Sequence, residues 1–116
     1  MSEKSTTEKG LAAQSIAERY YLDQGYTLLC RNFRWKRGEI DLVMECREHW
    51  AIVEVKLRER DWEQSAWSPL WRGKLHRLRT GFYLLPARFP HLRRKEMRID
   101  IVFVTQGRVM EVFEAV

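Results

Sequence analysis

Cysteine and histidine are scarce in this 116-residue chain, at two and three residues. Cys30 and Cys46 form no Cys-x-x-Cys or Cys/His cluster, and His49, His76 and His91 lack the spacing of zinc ligands. A zinc module and a disulfide scaffold are thereby set aside, and both cysteines, inside predicted strands, read as buried free thiols in a reducing compartment. No apolar run approaches the ~20 residues of a spanning helix. The polar start MSEKSTTEKG has no signal-peptide core. The expectation is a cytoplasmic protein with no membrane partner. Glycine and proline number only six and three, and no repeat or low-complexity stretch appears, which excludes fibrous and disordered classes.

What is present is ordinary globular material, 45% hydrophobic and 32% charged. The length suits one domain with a real core, expected over residues 10–116 behind a flexible tail, 1–9, of small and charged residues. The formal charge is +5, and 15 of the 21 basic residues are arginine. That balance favours a polyanionic partner, nucleic acid before membrane or acidic protein.

The centre of the chain is GEIDLVMECREHWAIVEVK, Gly38 to Lys56. It reads as two strands joined by a tight connection at Arg47-Glu48. Alternation puts Glu39 and Asp41 on one face, with Ile40, Leu42 and Met44 on the other. Folded as a hairpin, it sets Asp41 opposite Glu54 and Glu39 opposite Lys56; a slip of one residue would separate the carboxylates. Facing carboxylates are destabilising unless a cation lies between them. Lys56 can supply part of that charge and a divalent ion the rest. Carboxylate oxygens suit Mg²⁺ or Mn²⁺, and a lysine beside such an ion can orient a water for attack on a phosphodiester. A salt-bridge ladder on a solvated face is the competing reading.

Upstream, Gly10 to Asp23 is a predicted helix with an apolar stripe of Leu11, Ile16, Ala17, Tyr20 and Tyr21, closed by Gly25. Strand one is predicted over Thr27 to Phe33. Arg31, Arg34, Lys36 and Arg37 interleave with Phe33 and Trp35, a mixture suited to phosphates and exposed bases. Downstream, Arg58 continues the hairpin strand, and Asp61 to Trp67 is expected to be a loop over the site. Ser68-Pro69 should start a helix ending near Leu85-Pro86, with Leu70, Leu75, Leu78, Phe82 and Leu85 inside. A basic linker, Ala87 to Lys95, leads to strands at Arg98–Val104 and Val109–Phe113 joined by Gln106-Gly107. The order is α-β-β-β-α-β-β, an α/β fold.

Asp41 followed by Glu54-x-Lys56 resembles the PD-(D/E)xK motif of restriction-endonuclease-like nucleases. The fuller string, GY, RNFR, GEIDLV, VEVK and later RIDIV, resembles the small bacterial YraN-type family, itself similar to archaeal Holliday-junction resolvases. The resemblance covers Gly10 to about Val104. It implies a restriction-endonuclease-like core, a central mixed sheet flanked by helices. It implies a Mg- or Mn-dependent nuclease acting on structured or branched DNA, with Asp41 and Glu54 as metal ligands and the Val55 carbonyl as a further one. Lys56 would orient the water, and Glu39 would pair with it or join the metal shell. It also brings Lys74 towards a phosphate, beside Arg31, Arg34, Lys36, Arg37 and Arg58. Position 14 departs from the pattern: Gln14 stands where the family carries a glutamate, and Glu18, one turn on, is a candidate substitute. Two further readings stay open, a non-catalytic nucleic-acid-binding module and an interaction domain. The oligomeric state is open too, with a homodimer among the options.

Overall fold

A computed structural model of the chain describes residues 6–58 and 70–116. Along them run α1 (Thr6–Leu22), β1 (Thr27–Trp35), β2 (Gly38–Glu45), β3 (His49–Leu57), α2 (Leu70–Leu78) and α3 (Gly81–Arg88). A short 3-10 helix (Pro90–Arg94), β4 (Glu96–Thr105) and β5 (Arg108–Phe113) complete the chain. The strands make one sheet in the order β1-β2-β3-β4-β5, antiparallel except for the parallel pair β3 and β4. Parallel neighbours need a crossover rather than a hairpin, and α2 with α3 belong to it. This mixed sheet flanked by helices is the expected α/β architecture, consistent with a restriction-endonuclease-like core. Among the described residues no helix is long and apolar enough to cross a membrane.

Both faces of the sheet are covered. On one, Ala13, Ala17 and Tyr21 of α1 pack on Leu42, Met44, Val53 and Val102. On the other, Leu78, Leu85 and Leu92 pack on Ile40, Val43, Ile52 and Ile99. A strand enclosed on both sides reads as a continuous apolar run, which is what Trp50 to Val53 is. One buried polar cluster locks the layers together. Tyr21 donates its hydroxyl to Asp100 Oδ2 at 2.6 Å, Arg98 Nη2 donates to the same oxygen at 3.0 Å, and the Ala115 N–H donates to Oδ1 at 3.0 Å.

Several elements differ from expectation. The first helix begins at Thr6 rather than Gly10, and Leu11 is 53% exposed while Ala13 is buried. The buried stripe uses small residues, which bring the helix close to the sheet. In place of one helix ending near Pro86 there are two, separated at Arg79-Thr80, and Pro86 lies inside α3. Proline removes one amide donor there, yet the turn carries on through Phe89 N–H to Leu85 O at 2.7 Å. Gly81 explains how tightly α3 seats: a Cβ there would stand 2.6 Å from Ile40 Cδ1 and 2.9 Å from Ile52 Cδ1. The basic linker is the end of α3 plus the 3-10 helix, pinned by buried Leu92. Cys46 lies in the turn after β2 rather than in a strand; both cysteines are free and half-buried. Ser68, Pro69 and the loop from Asp61 to Trp67 lie outside the described residues. The turn at Gln106 and Gly107 has φ of +50° and +77°, the pair of positive values that a two-residue hairpin loop needs.

Candidate active site

The site forms where β2 parts from β3. Their ladder pairs Leu42 with Val53, Val43 with Ile52, Met44 with Ala51 and Glu45 with Trp50, the register expected from the hairpin. It stops before Asp41. Ile40 packs with Ile52 against α3 while Leu42 packs against α1, so strict alternation breaks at Asp41 and Ile40 does not share a face with Leu42. Asn32, across from the break in β1, adopts φ of +50°. Had the ladder continued, Ile40 would face Val55 as a hydrogen-bonded pair. Instead the Val55 N–H donates to Asp41 Oδ2 at 2.8 Å. The kink thus turns the Asp41 carboxylate into the gap between the strands, where it caps an amide the ladder has released.

Glu54 meets it from β3, 5% exposed and on the α2 side. Burial, then the negative charge of Asp41, pushes the Glu54 carboxyl up to about 7 against the pull of the Lys74 ammonium. Burial also raises Asp41, which the Val55 amide and Lys74 oppose. The two carboxyls are close enough to share a hydrogen bond. Lys74 Nζ lies 2.5 Å from Glu54 Oε1. The lysine in contact with the acidic pair is therefore Lys74, from the helix, whereas Lys56 is half-buried two residues along β3. Glu39 pairs with Arg34, at 3.2 Å, rather than with Lys56. Neighbouring strands β1 and β2 set that contact, since Arg34 and Glu39 are ladder partners.

Two cavities open on Asp41. One, of about 310 Å³, is bordered by Trp35, Glu39, Asp41, Glu54, Lys74 and Arg77. The other, of about 240 Å³ on the α1 side, is bordered by Gln14, Asn32, Arg34, Asp41 and Val55. Gln14, 9% exposed, thus comes to Asp41 from the side opposite Glu54. Glu18 is held elsewhere: Arg31 donates to its two carboxylate oxygens at 2.6 and 2.8 Å. Of the expected basic residues, Arg31, Arg34, Lys36 and Arg37 are exposed along β1 and its turn. Arg58 is not on that surface. It is 4% exposed, with its guanidinium 4.0 Å above the Phe103 ring and Nη1 2.9 Å from Glu111 Oε1. An arginine ending a covered strand finds an aromatic face and a carboxylate beneath it before it finds solvent. Trp35, Gly38 and Arg77 border the site without having been singled out individually for it. Arg77 had a signal, lying one helical turn from Lys74.

The oxygen-bearing groups suit a hard cation: the carboxylates of Asp41 and Glu54, with Val55 and Gln14 bordering the second cavity that opens on Asp41. Among the described residues no three His, Cys, Asp or Glu side chains come together as a metal cage. Mg²⁺ commonly takes one or two carboxylates and completes its shell with water and substrate phosphate, so the residues fit that ion and do not fit structural zinc.

Fold and site together define an α/β protein whose mixed sheet brings a carboxylate pair, one member buried, and a lysine to the point where two strands part. The chain belongs to the Uncharacterised protein family UPF0102, whose model matches residues 13–104, from α1 through β4. A UPF0102 protein of Shewanella sp. (strain ANA-3) is 41% identical over 102 residues, covering 86% of this chain and 91% of that one. That of Shewanella sediminis is 42% identical over 80 residues, 69% of this chain and 68% of the relative. That of Saccharophagus degradans is 32% identical over 102 residues, 88% and 86% of the two chains.

Proposed function

We propose that this protein is a metal-dependent nuclease that hydrolyses phosphodiester bonds in DNA, with structured or branched DNA as the preferred substrate. The observation that carries the reading is the pairing of a half-buried Asp41 with a buried Glu54, held together at a strand kink despite mutual repulsion. Bringing two carboxylates together out of water is costly unless cations compensate them, and the one ammonium of Lys74 offsets only part of that charge. Asp41 and Glu54 would hold Mg²⁺ or Mn²⁺, with Val55 and Gln14 beside them. When bound, the ion supplies charge stabilisation and a more acidic water. The chain's own residues do the positioning: Val55 fixes the Asp41 rotamer, and Lys74 presents an ammonium to an incoming phosphate. Lys56 stands two residues from Glu54 to orient the water. Arg34, Lys36 and Arg37 extend the positive surface along the turn that precedes the site. The resemblance of Asp41…Glu54-x-Lys56 to PD-(D/E)xK enzymes supports the same reading, and the choice of DNA form rests on that resemblance.

A second reading is a binding module that has kept the fold without catalysis, favoured by the neutral Gln14 and by Lys74 already offsetting the acidic pair. Cleavage assays on linear duplex, single-stranded and four-way-junction DNA, with Mn²⁺ or with chelator, separate the two. The nuclease cuts with Mn²⁺, and Asp41→Asn and Glu54→Gln abolish cutting while DNA affinity stays near that of the parent. If both variants cut as well as the parent, the centre is misassigned. Salt-dependent binding without cutting selects the module.

A further inference from the structure

The larger cavity has one wall that hydrolysis does not require. Trp35 ends β1 and Gly38 begins β2, and the two are ladder partners across the Lys36-Arg37 turn. A Cβ on Gly38 would run into the indole at Cζ2, so the ring lies directly on the glycine. Phe33 flanks it, with ring centroids 6.0 Å apart and planes tilted by 44°. The indole is therefore held by packing and yet half-buried, and it borders the cavity of about 310 Å³. That volume is at the lower end of the ~300–1,000 Å³ typical of small-molecule sites. Lys74 and Arg77 border the same cavity, with the acidic pair beside them.

A fixed aromatic plane next to cations is the arrangement by which proteins hold single-stranded nucleic acid: the ring stacks on a base and the cations take its phosphate. A paired base is unavailable, because both its faces are stacked in the duplex, and reaching it requires flipping. We propose that Trp35 is a stacking platform for one unpaired nucleobase, whose phosphate is received by Lys74 and Arg77. This rests on the nucleic-acid reading above and names its substrate class: DNA with an unpaired nucleotide at the site, such as a single strand, a gap or a branch point. Since every base offers a π-face, the platform is tolerant of sequence.

The test is binding in chelator, which separates recognition from cutting. Anisotropy is measured with the full chain on a labelled single-stranded oligonucleotide, on the same strand carrying reduced abasic sites, and on a uniform duplex. The parent is expected to bind the base-bearing strand roughly 5- to 150-fold tighter than the abasic one, the range for stacking a base on one aromatic ring. Trp35→Ala should erase that preference with duplex binding unchanged, and Trp35→Phe, which keeps a ring, should retain part of it. Equal affinity of the parent for base-bearing and abasic strands overturns the proposal. So does a preference that survives in Trp35→Ala, or failure to bind any of the three. A base preference in a protein that never cuts with Mn²⁺ upholds the platform and removes the nuclease; cutting without a base preference does the reverse.

Discussion

Glu54 should make this protein less stable as the pH rises, and the size of the effect follows from its surroundings. The carboxyl moves from an ordinary 4.5 to about 7 on folding, chiefly through burial and then through Asp41. A raised carboxyl keeps its proton in the folded chain after the unfolded chain has lost it. The protonated form therefore favours folding below the ordinary value, and that advantage disappears as the pH climbs through about 7. At 1.36 kcal/mol per unit, the loss between pH 5 and pH 8 is roughly 2–3 kcal/mol. Glu54→Gln cannot ionise, so it should escape the loss and end more stable than the parent at pH 8. The measurement is urea unfolding of both proteins at pH 5, 6.5 and 8 in chelator, where other titrating groups largely cancel in the difference. Lys74→Ala should steepen the parent's decline, because the ammonium is the charge that draws Glu54 down. If parent and Glu54→Gln lose stability in parallel, the carboxyl is not confined as described, and the case for a buried Glu54 beside Asp41 fails.

Gln14→Glu should add a negative oxygen at the Asp41 cavity, lowering stability by about 1–2 kcal/mol at pH 8 without metal and tightening Mn²⁺ binding in calorimetry; unaltered metal affinity would remove position 14 from the site. Gly81→Ala should cost about 1–3 kcal/mol through crowding against Ile40 and Ile52. Adding Ile52→Val, which removes one of the two crowded Cδ1 methyls, should recover part of that loss in chemical denaturation. Asp100→Asn removes the near carboxylate of Arg98, leaving Glu114 at 3.7 Å, and weakens the tie from Tyr21 to β4, so a loss of about 1–3 kcal/mol is expected in the same assay.

The fold was largely legible because its strands obey simple periods. The hairpin register from Leu42 to Trp50 follows from a two-residue alternation and a turn at Arg47-Glu48, and the α/β order follows from where the apolar period changes. The misreadings concern places where packing overrides pattern. Leu11 continues a helical stripe in sequence yet faces solvent, because the contact is made by Ala13, Ala17 and Tyr21, whose small members let α1 approach. The helix expected to end near Pro86 is two helices, and the second seats its Gly81 against Ile40 and Ile52, a contact between residues distant in the chain. Arg58 looks like a surface cation in sequence; only the parallel pairing of β3 with β4 reveals that Phe103 and Glu111 await it.

The chemistry of the site shows the same division more sharply. Alternation brings Asp41 and Glu54 to one place only if the ladder holds as far as Leu42, and the ladder then has to fail for Asp41 to be useful. In a regular strand the Ile40 carbonyl would take the Val55 amide and Asp41 would stand beside Glu54 on the sheet face, clear of that amide. The kink hands that amide to the carboxylate instead. No period encodes this. Which lysine meets the pair is equally invisible: Lys56 is adjacent in sequence, but Lys74 reaches Glu54 because the crossover lays α2 over β2, beside β3. With Asp41 bonded to the Val55 amide and Glu54 to Lys74, and with Gln14 rather than a carboxylate on the third side, the chain offsets part of the acidic pair's charge by its own means. A divalent ion entering here must therefore compete with an ammonium already 2.5 Å from Glu54, and whatever frees Lys74 for a phosphate also frees Glu54 for the ion.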